Sequence, residues 1–367
     1  MRVISLALRD FRSYADVRVN LGDGLTVIFG PNGAGKTNLL EALYFGCTGR
    51  SCRTTNEREV VRFGASTTRV LVQSQAEDGP HQTAVGFTPG QPKRLHVDGA
   101  AVERLIDAPT RPLVSMFLPE RLELVKGPPA LRRAHLDHLA AALWPARSAI
   151  RRTYGQALAQ RNAMISRLRA GRGSRDALGS WDVQLARAGL ELMALRAAAA
   201  RAIADITTRN ASALGLSAEL TVAYQPRSKA RDVDGLLAEV RSNVERDIER
   251  GFTGHGPHRD ELRLALGDRD LRSFGSQGQQ RVSLLALLLA EREAIAGHRG
   301  APPVMLLDDV MSELDHARRE ALVDLLRQEA GQAILTTTDL EHVPGASEDA
   351  VVRIAVSEGM VLEEAMI

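Results

Sequence analysis

The segment Gly30-Pro31-Asn32-Gly33-Ala34-Gly35-Lys36-Thr37 fits G-x-x-x-x-G-K-[ST] in full, and no other stretch constrains the fold as much. It follows the apolar run Leu25–Phe29. It opens a segment in which Leu39, Leu40 and Leu43 fall at helical spacing, so strand, glycine loop and a helix over Lys36–Phe45 are expected. Glycines let such a loop wrap a polyphosphate with backbone N–H groups, and the helix N-terminus faces the anion. Lys36 would reach the β- and γ-phosphates and Thr37 would ligate Mg2+. Composition sharpens the assignment, because Lys36, Lys93, Lys126 and Lys229 are the only lysines among 47 basic residues. A chain that otherwise uses Arg for positive charge keeps Lys where a compact ammonium suits the site better than a planar fork.

A second element is Val304-Met305-Leu306-Leu307-Asp308-Asp309. Four apolar residues ending in paired carboxylates place Asp308 at the C-terminal edge of a buried strand, where it can hold a magnesium shell. Asp309 can then face an attacking water as general base. The third is Phe274-Gly275-Ser276-Gln277-Gly278-Gln279-Gln280-Arg281, followed by the apolar helix Val282–Ala290. A polar, Gly-rich cap on a helix N-terminus is again an anion site. One chain does not need two γ-phosphate cradles. A dimer does, if each subunit offers this helix end to nucleotide held by the other; a well-capped core helix is the plain alternative.

Residues 1 to about 115 read as a β-rich unit around one helix, with strands at Val3–Leu8, Leu25–Phe29, Arg69–Gln75, Gln82–Phe87 and Arg94–Val97. From about Glu120 to Arg250, Leu, Ala and Arg dominate and strand formers thin out, which predicts an inserted helical domain. Sustained heptads are missing from it, which argues against a long coiled coil. From Gly251 onward strand and helix alternate: strands at Glu261–Leu266, Val304–Leu307, Ala333–Thr337 and Val351–Val356, and helices at Gln279–Ala296 and His316–Glu329. The expected architecture is therefore an α/β domain from residues 1–119 and 251–367, with an antiparallel β subdomain, interrupted by a mainly helical domain over 120–250.

The net charge of +2 hides an asymmetry: Arg121 to Arg201 carries 15 Arg plus Lys against five acidic residues. Such a stretch suits a polyanion partner, or a solvated helical surface. Cys47 and Cys52 are too few for a disulfide framework or zinc ribbon. Leu284–Ala290 is the longest apolar run, well short of the ~18 residues a membrane span needs. The start lacks the layout of a secretion signal, so the chain reads as cytoplasmic with no membrane partner. Gly254-His255-Gly256-Pro257-His258-Arg259-Asp260 offers two histidines and a carboxylate, but its Gly and Pro content reads as a shaped turn more than a metal site.

Loop, helix cap and Asp-Asp strand in that order resemble the ABC-type ATPases, and Ser312-Glu313-Leu314-Asp315 looks like their D-loop. In detail the chain resembles the RecF family of bacterial recombination mediators, within the SMC/Rad50-like branch. The carrying motifs are Phe11-Arg12-Ser13-Tyr14, Lys36 to Ala42 including Asn38, Gly256 to Asp260, Ser276 to Arg281 and Asp308-Asp309. In the insert, Gly127-Pro128-Pro129 with Arg132, Arg133 and Asp137, and Gln160-Arg161-Asn162, look like the same family. The resemblance implies an ABC-type ATPase head using ATP and Mg2+, with Gly30 to Asn38 around the nucleotide, Thr37 and Asp308 on the metal, and Lys36 and Asp309 catalytic. Ser276 to Gln279 would act in trans in an ATP-dependent homodimer. It further implies a weak, DNA-stimulated ATPase acting as a clamp on duplex DNA near single-strand gaps and junctions, which works with RecR and RecO to load RecA. No residue is assigned to DNA.

Departures from the wider ABC pattern are Gln277 between Ser276 and Gly278, Asp309 where most members have Glu, and Thr338 at the switch position where many have His. The last two suit a slow switch. Phe117 to Arg121 lies where a glutamine loop belongs and has no Gln. A transporter's nucleotide-binding subunit is the competing class, opposed by the basic helical insert. The long-armed chromosome ATPases need a far longer heptad-rich insert.

Overall fold

The computed structural model describes residues 1–105, 108–328 and 331–362, the side chain of Glu120 excepted. Along the chain run β1 (Arg2–Phe11), β2 (Tyr14–Asn20), β3 (Leu25–Phe29), α1 (Lys36–Thr48), β4 (Thr68–Ala76), β5 (Gly79–Phe87), β6 (Arg94–Val97), β7 (Ala100–Ala101) and β8 (Val114–Phe117). Then come α2 (Glu123–Lys126), α3 (Pro129–Leu143), α4 (Ala149–Arg169), α5 (Gly179–Ala213), β9 (Leu220–Gln225), α6 (Val233–Ser242) and α7 (Val244–Arg250). The remainder is β10 (Glu261–Leu266), β11 (Arg269–Asp270), α8 (Leu271–Phe274), α9 (Gln277–Arg299), β12 (Val304–Leu307), α10 (His316–Gln328), β13 (Ala333–Thr337), β14 (Val352–Ser357) and β15 (Met360–Leu362). Glu329, expected to end the tenth helix, lies outside the described residues.

Two compact units divide the chain: Met1–Arg121 with Ile295–Ile367, and Leu122–Ala294. The first holds an antiparallel sheet in the order β2-β1-β4-β5-β6-β7 and a mostly parallel sheet in the order β15-β14-β3-β13-β12-β8. Every position of β12 and β13 is buried, as expected for central parallel strands covered on both faces. Helix α1 lies in a shared core: its Leu39, Leu43 and Phe45 join Val70, Val72 and Val85 of one sheet and Ile28, Leu306 and Ile334 of the other. Gly46 permits that closeness, since a Cβ there would lie 2.5 Å from Val72 Cγ2. The helix ends where Gly49, at φ 73°, returns its N–H to the Phe45 carbonyl.

The second unit runs on to Ala294, past the expected end at residue 250. The cause is β9, a strand that composition did not reveal. It pairs with β10 from Leu220↔Leu266 to Gln225↔Glu261, so β10 joins a three-stranded sheet beside the helices and not the α/β domain expected to hold it. Helices α4 and α5 of this unit run for 21 and 35 residues. Among the described residues no helix is long and apolar enough to cross a membrane.

Candidate functional site

Strand order brings the motifs together. β13 lies between β3, which feeds the glycine loop, and β12, which ends at Asp308. All three run parallel, so their C-terminal ends open on one edge, where α/β sheets place their ligands. Across that edge the Thr37 hydroxyl lies 2.9 Å from both carboxylate oxygens of Asp308, 271 residues away in sequence. Thr336, on the middle strand, donates to Asp308 Oδ1 at 2.8 Å and accepts the Asp309 N–H at 2.9 Å. Burial, reinforced by Asp309, raises the Asp308 pKa against these two hydroxyl bonds. A buried carboxylate beside an alcohol is a hard oxygen donor pair that fits Mg2+. Asp309 itself sits in the left-handed region (φ 47°, ψ 31°), and its buried Oδ1 has no hydrogen-bond partner. A lone pair so placed suits a water proton.

Lys36 is buried and donates to the Gly30 carbonyl at 2.7 Å and the Pro31 carbonyl at 2.9 Å. Desolvation lowers its pKa, with Asp309 and Asp308 pulling the other way. The loop around it is braced from behind. Gly30 passes so near β14 that a Cβ would meet the Val356 carbonyl oxygen at 2.1 Å. The Tyr14 hydroxyl donates to the Gly35 carbonyl at 3.0 Å, and the Gly359 N–H to that of Ala34 at 2.9 Å. Beside the loop, Glu41 is fully buried and accepts Arg12 through Nε and Nη2 at 2.9 and 2.8 Å, Ser51 Oγ at 2.5 Å and Arg53 Nη1 at 3.4 Å. Asn38 donates to Ser13 Oγ at 3.0 Å and accepts Arg53 Nη1 at 3.1 Å, so its amide holds the neighbouring turn. Arg12 and Tyr14 of the Phe11–Tyr14 motif are therefore scaffolding for the loop.

Thr338, expected as the switch, follows the end of β13 half-buried; the hydroxyl that joins the Asp308 carboxylate to the Asp309 N–H is that of Thr336. Ser312 donates to the Asp309 carbonyl at 2.9 Å, Glu313 closes the turn begun at Val310, Leu314 is buried, and Asp315 accepts the Arg318 N–H at 2.9 Å to cap α10. The expected signature residues belong to the other unit. There Ser276 Oγ accepts the Gln279 N–H at 3.2 Å and Gln279 Oε1 accepts the Ser276 N–H at 2.8 Å. This reciprocal cap leaves Ser276, Gln277 and Gly278 exposed at the start of α9.

Within the second unit the remaining family motifs are held by largely buried polar clusters. Arg161 reaches Asp182, Asp247 and Thr253, each at 2.7 Å. Arg196 binds both oxygens of Asp137, at 2.7 and 3.0 Å, and the Pro257 carbonyl at 2.7 Å. Arg132 pairs both oxygens of Glu261, at 2.8 and 2.9 Å. The carbonyl of Thr253 can only accept, so His258 donates to it through Nε2 at 2.9 Å and accepts the Tyr154 hydroxyl through Nδ1 at 2.7 Å. Burial pushes this imidazole down to about 4, and both ring nitrogens are engaged in hydrogen bonds. Among the described residues no group of three metal-binding side chains exists. The Gly254–Asp260 segment is a shaped turn, and part of the insert's arginine excess is core.

AAA-domain family models match residues 5–93 and, in the form described for AbiEii toxins of type IV toxin–antitoxin systems, residues 216–340. The chain is 40% identical over 360 residues to the DNA replication and repair protein RecF of Anaeromyxobacter sp., across 95% of this chain and 96% of that protein. It is 36% identical to the protein of that name from Streptomyces avermitilis, across 98% and 99%. A solved structure of the recombination mediator protein RecF with ATPrS superposes with a TM-score of 0.85 at 25% identity, covering 98% of this chain and 97% of that one. The Smc head domain of Pyrococcus furiosus matches in fold, with a TM-score of 0.60 at 16% identity over 98% and 95%.

Proposed function

Since the chain belongs to the RecF family of DNA replication and repair proteins and has the ABC-type ATPase head fold, we propose that it is an ATP-dependent clamp on duplex DNA. The observation that carries the ATPase reading is the meeting of Thr37 and Asp308 at 2.9 Å under a strand that also holds Asp309. In the proposed cycle the loop amides of Gly30 to Gly35 cradle the phosphates of ATP, and Lys36 turns from the Gly30 and Pro31 carbonyls to the β- and γ-oxygens. Thr37 and Asp308 would hold Mg2+, which would supply positive charge to neutralise the phosphate oxygens. Asp309 Oδ1 accepts a proton from the attacking water.

Ser276, Gln277, Gly278 and Gln279 of one subunit close on the nucleotide of another, with Ser312 to Asp315 beside the same interface and Thr338 reporting the γ-phosphate. The short reach of Asp309 makes hydrolysis slow, so the ATP-bound dimer persists on DNA and DNA stimulates its release. RecR and RecO would act with this dimer near single-strand gaps and junctions to load RecA. A transporter subunit is disfavoured by full-length likeness to repair proteins.

Complementation tests the dimer. Ser276→Arg keeps its own phosphate loop but blocks closure, and Lys36→Met keeps the cap but loses the ammonium. Each alone should be inactive, and a mixture should recover part of the ATP hydrolysis through one intact composite site. Native mass spectrometry confirms the heterodimer; heterodimers that form and stay inactive would falsify the in-trans site.

A further inference from the structure

The outer face of the antiparallel sheet carries a row of arginines that the ATPase site does not use. The pairing register puts Arg9 of β1 directly opposite Arg69 of β4, Arg69 opposite Gly86 of β5, and Gly86 opposite Arg94 of β6. All three arginines are exposed, and among the described residues none of their guanidinium groups has a hydrogen bond or ion pair. One carboxylate, Asp16 of β2, stands opposite Arg9 at the end of the row. On the next row Arg18 faces Ala7 and donates to Gln73 Oε1 at 3.3 Å. The register cannot slip to disperse this charge, because Leu8, Val70 and Val85 point the other way into the core. Like charges directly opposite on neighbouring strands destabilise a sheet. The protein keeps them together at that cost.

Resting on the reading of the protein as a duplex-DNA clamp, we infer that this face is where the phosphate backbone of duplex DNA lies. Neighbouring strands are ~4.8 Å apart, so Arg9, Arg69 and Arg94 span roughly 15 Å of rigid surface. Duplex DNA presents one negative charge per ~1.7 Å of axis, and an arginine fork pairs two oxygens of one phosphate. Gly86 lies between Arg69 and Arg94, and the neighbouring row runs Ala7, Leu71 and Ala84, so no long side chain stands between the arginines to hold a stiff rod away. The outward positions of these rows hold no Phe, Tyr or Trp, the side chains on which single-stranded bases stack. Backbone charge without a stacking platform selects the double strand.

The experiment uses the full chain with ATP and Mg2+ and a blunt duplex of about 30 base pairs, followed by fluorescence anisotropy across a KCl series. The triple variant Arg9→Gln, Arg69→Gln, Arg94→Gln should lose at least about tenfold in affinity, and its slope of log K against log salt should shrink by about two to three, near 0.9 per lost phosphate contact. Its DNA-independent ATP hydrolysis should be unchanged and its Tm equal or higher, since like-charge repulsion is relieved. Ala7→Glu, which adds a carboxylate to the face and removes no arginine, should weaken the same binding. Wild-type duplex binding with unchanged affinity and slope in both variants overturns the inference and leaves the clamp reading intact. Failure of the wild type itself to bind duplex overturns the clamp. Loss of binding to a single-stranded oligonucleotide or to phosphatidylglycerol vesicles, with duplex binding kept, assigns the face to another partner and also overturns the inference.

Discussion

Thr336 links the Asp308 carboxylate to the Asp309 backbone, a role that sequence reading, which named Thr338 as the switch position, gave to no residue. Three threonines in a row, Thr336 to Thr338, carry no sign of which hydroxyl turns toward the site; the inward face of β13 decides it. Thr336→Val keeps the shape, removes a hydrogen bond to Asp308 and leaves the Asp309 N–H without its acceptor, a loss of about 1–3 kcal/mol. We expect kcat to fall about tenfold or more and the Mg2+ requirement to rise, with Thr336→Ser restoring both. Unchanged kinetics in the valine variant would remove Thr336 from the site. Asp309→Asn should retain ATP binding while losing turnover, whereas Asp308→Asn should weaken Mg2+-dependent binding; identical behaviour would refute the division of labour. Lys36, Thr37, Asp308 and Asp309 were legible because their chemistry is tied to a fixed local spacing. Arg12, Tyr14 and Glu41 were visible only as family motif, since what they brace is distant in sequence.

At the scale of elements, the apolar strands were readable from their runs and from turn signals, and β2, β7, β8, β9, β11 and β15 were not. β9 sits where Ala, Leu and Arg dominate, and nothing in a six-residue run says that its partner begins at Glu261. Its pairing moved β10 into the second unit. The seat of α1 depends on a missing side chain, a feature invisible without the fold. Gly46→Ala improves helix propensity by about 1 kcal/mol, yet its methyl would press Val72 Cγ2 at 2.5 Å and Val70 Cγ1 at 2.8 Å. The net result should be a loss of about 1–3 kcal/mol in urea denaturation. Val72→Ala in the same chain should return part of it; independent, additive losses would show that the contact is relieved some other way.

For the molecule as a whole, net charge and the basic stretch from Arg121 to Arg201 were plain in the sequence, but their meaning was not. Arg132, Arg161 and Arg196 are buried among carboxylates, so charge counting overstated the surface available to a polyanion. That core also sets a pH response. His258 takes up its proton near 6.5 in the unfolded chain and only at about 4 when folded, so between these values the unfolded state binds more protons. Its contribution to stability is present above pH ~6.5 and is lost as pH falls toward 4. Replacing it by Gln should flatten the fall of unfolding free energy over that window; equal slopes would mean that the imidazole is solvated. The order of strands has a further result for synthesis. β3 emerges early, yet both of its neighbours, β13 and β14, come from residues beyond 330. While the ribosome works through the intervening unit, which can close on itself first, the strand that carries the phosphate loop waits with two open edges, a template for mispairing with other nascent chains. Nucleotide competence comes last, and a chain truncated before β12 has no Asp308 with which to complete the site.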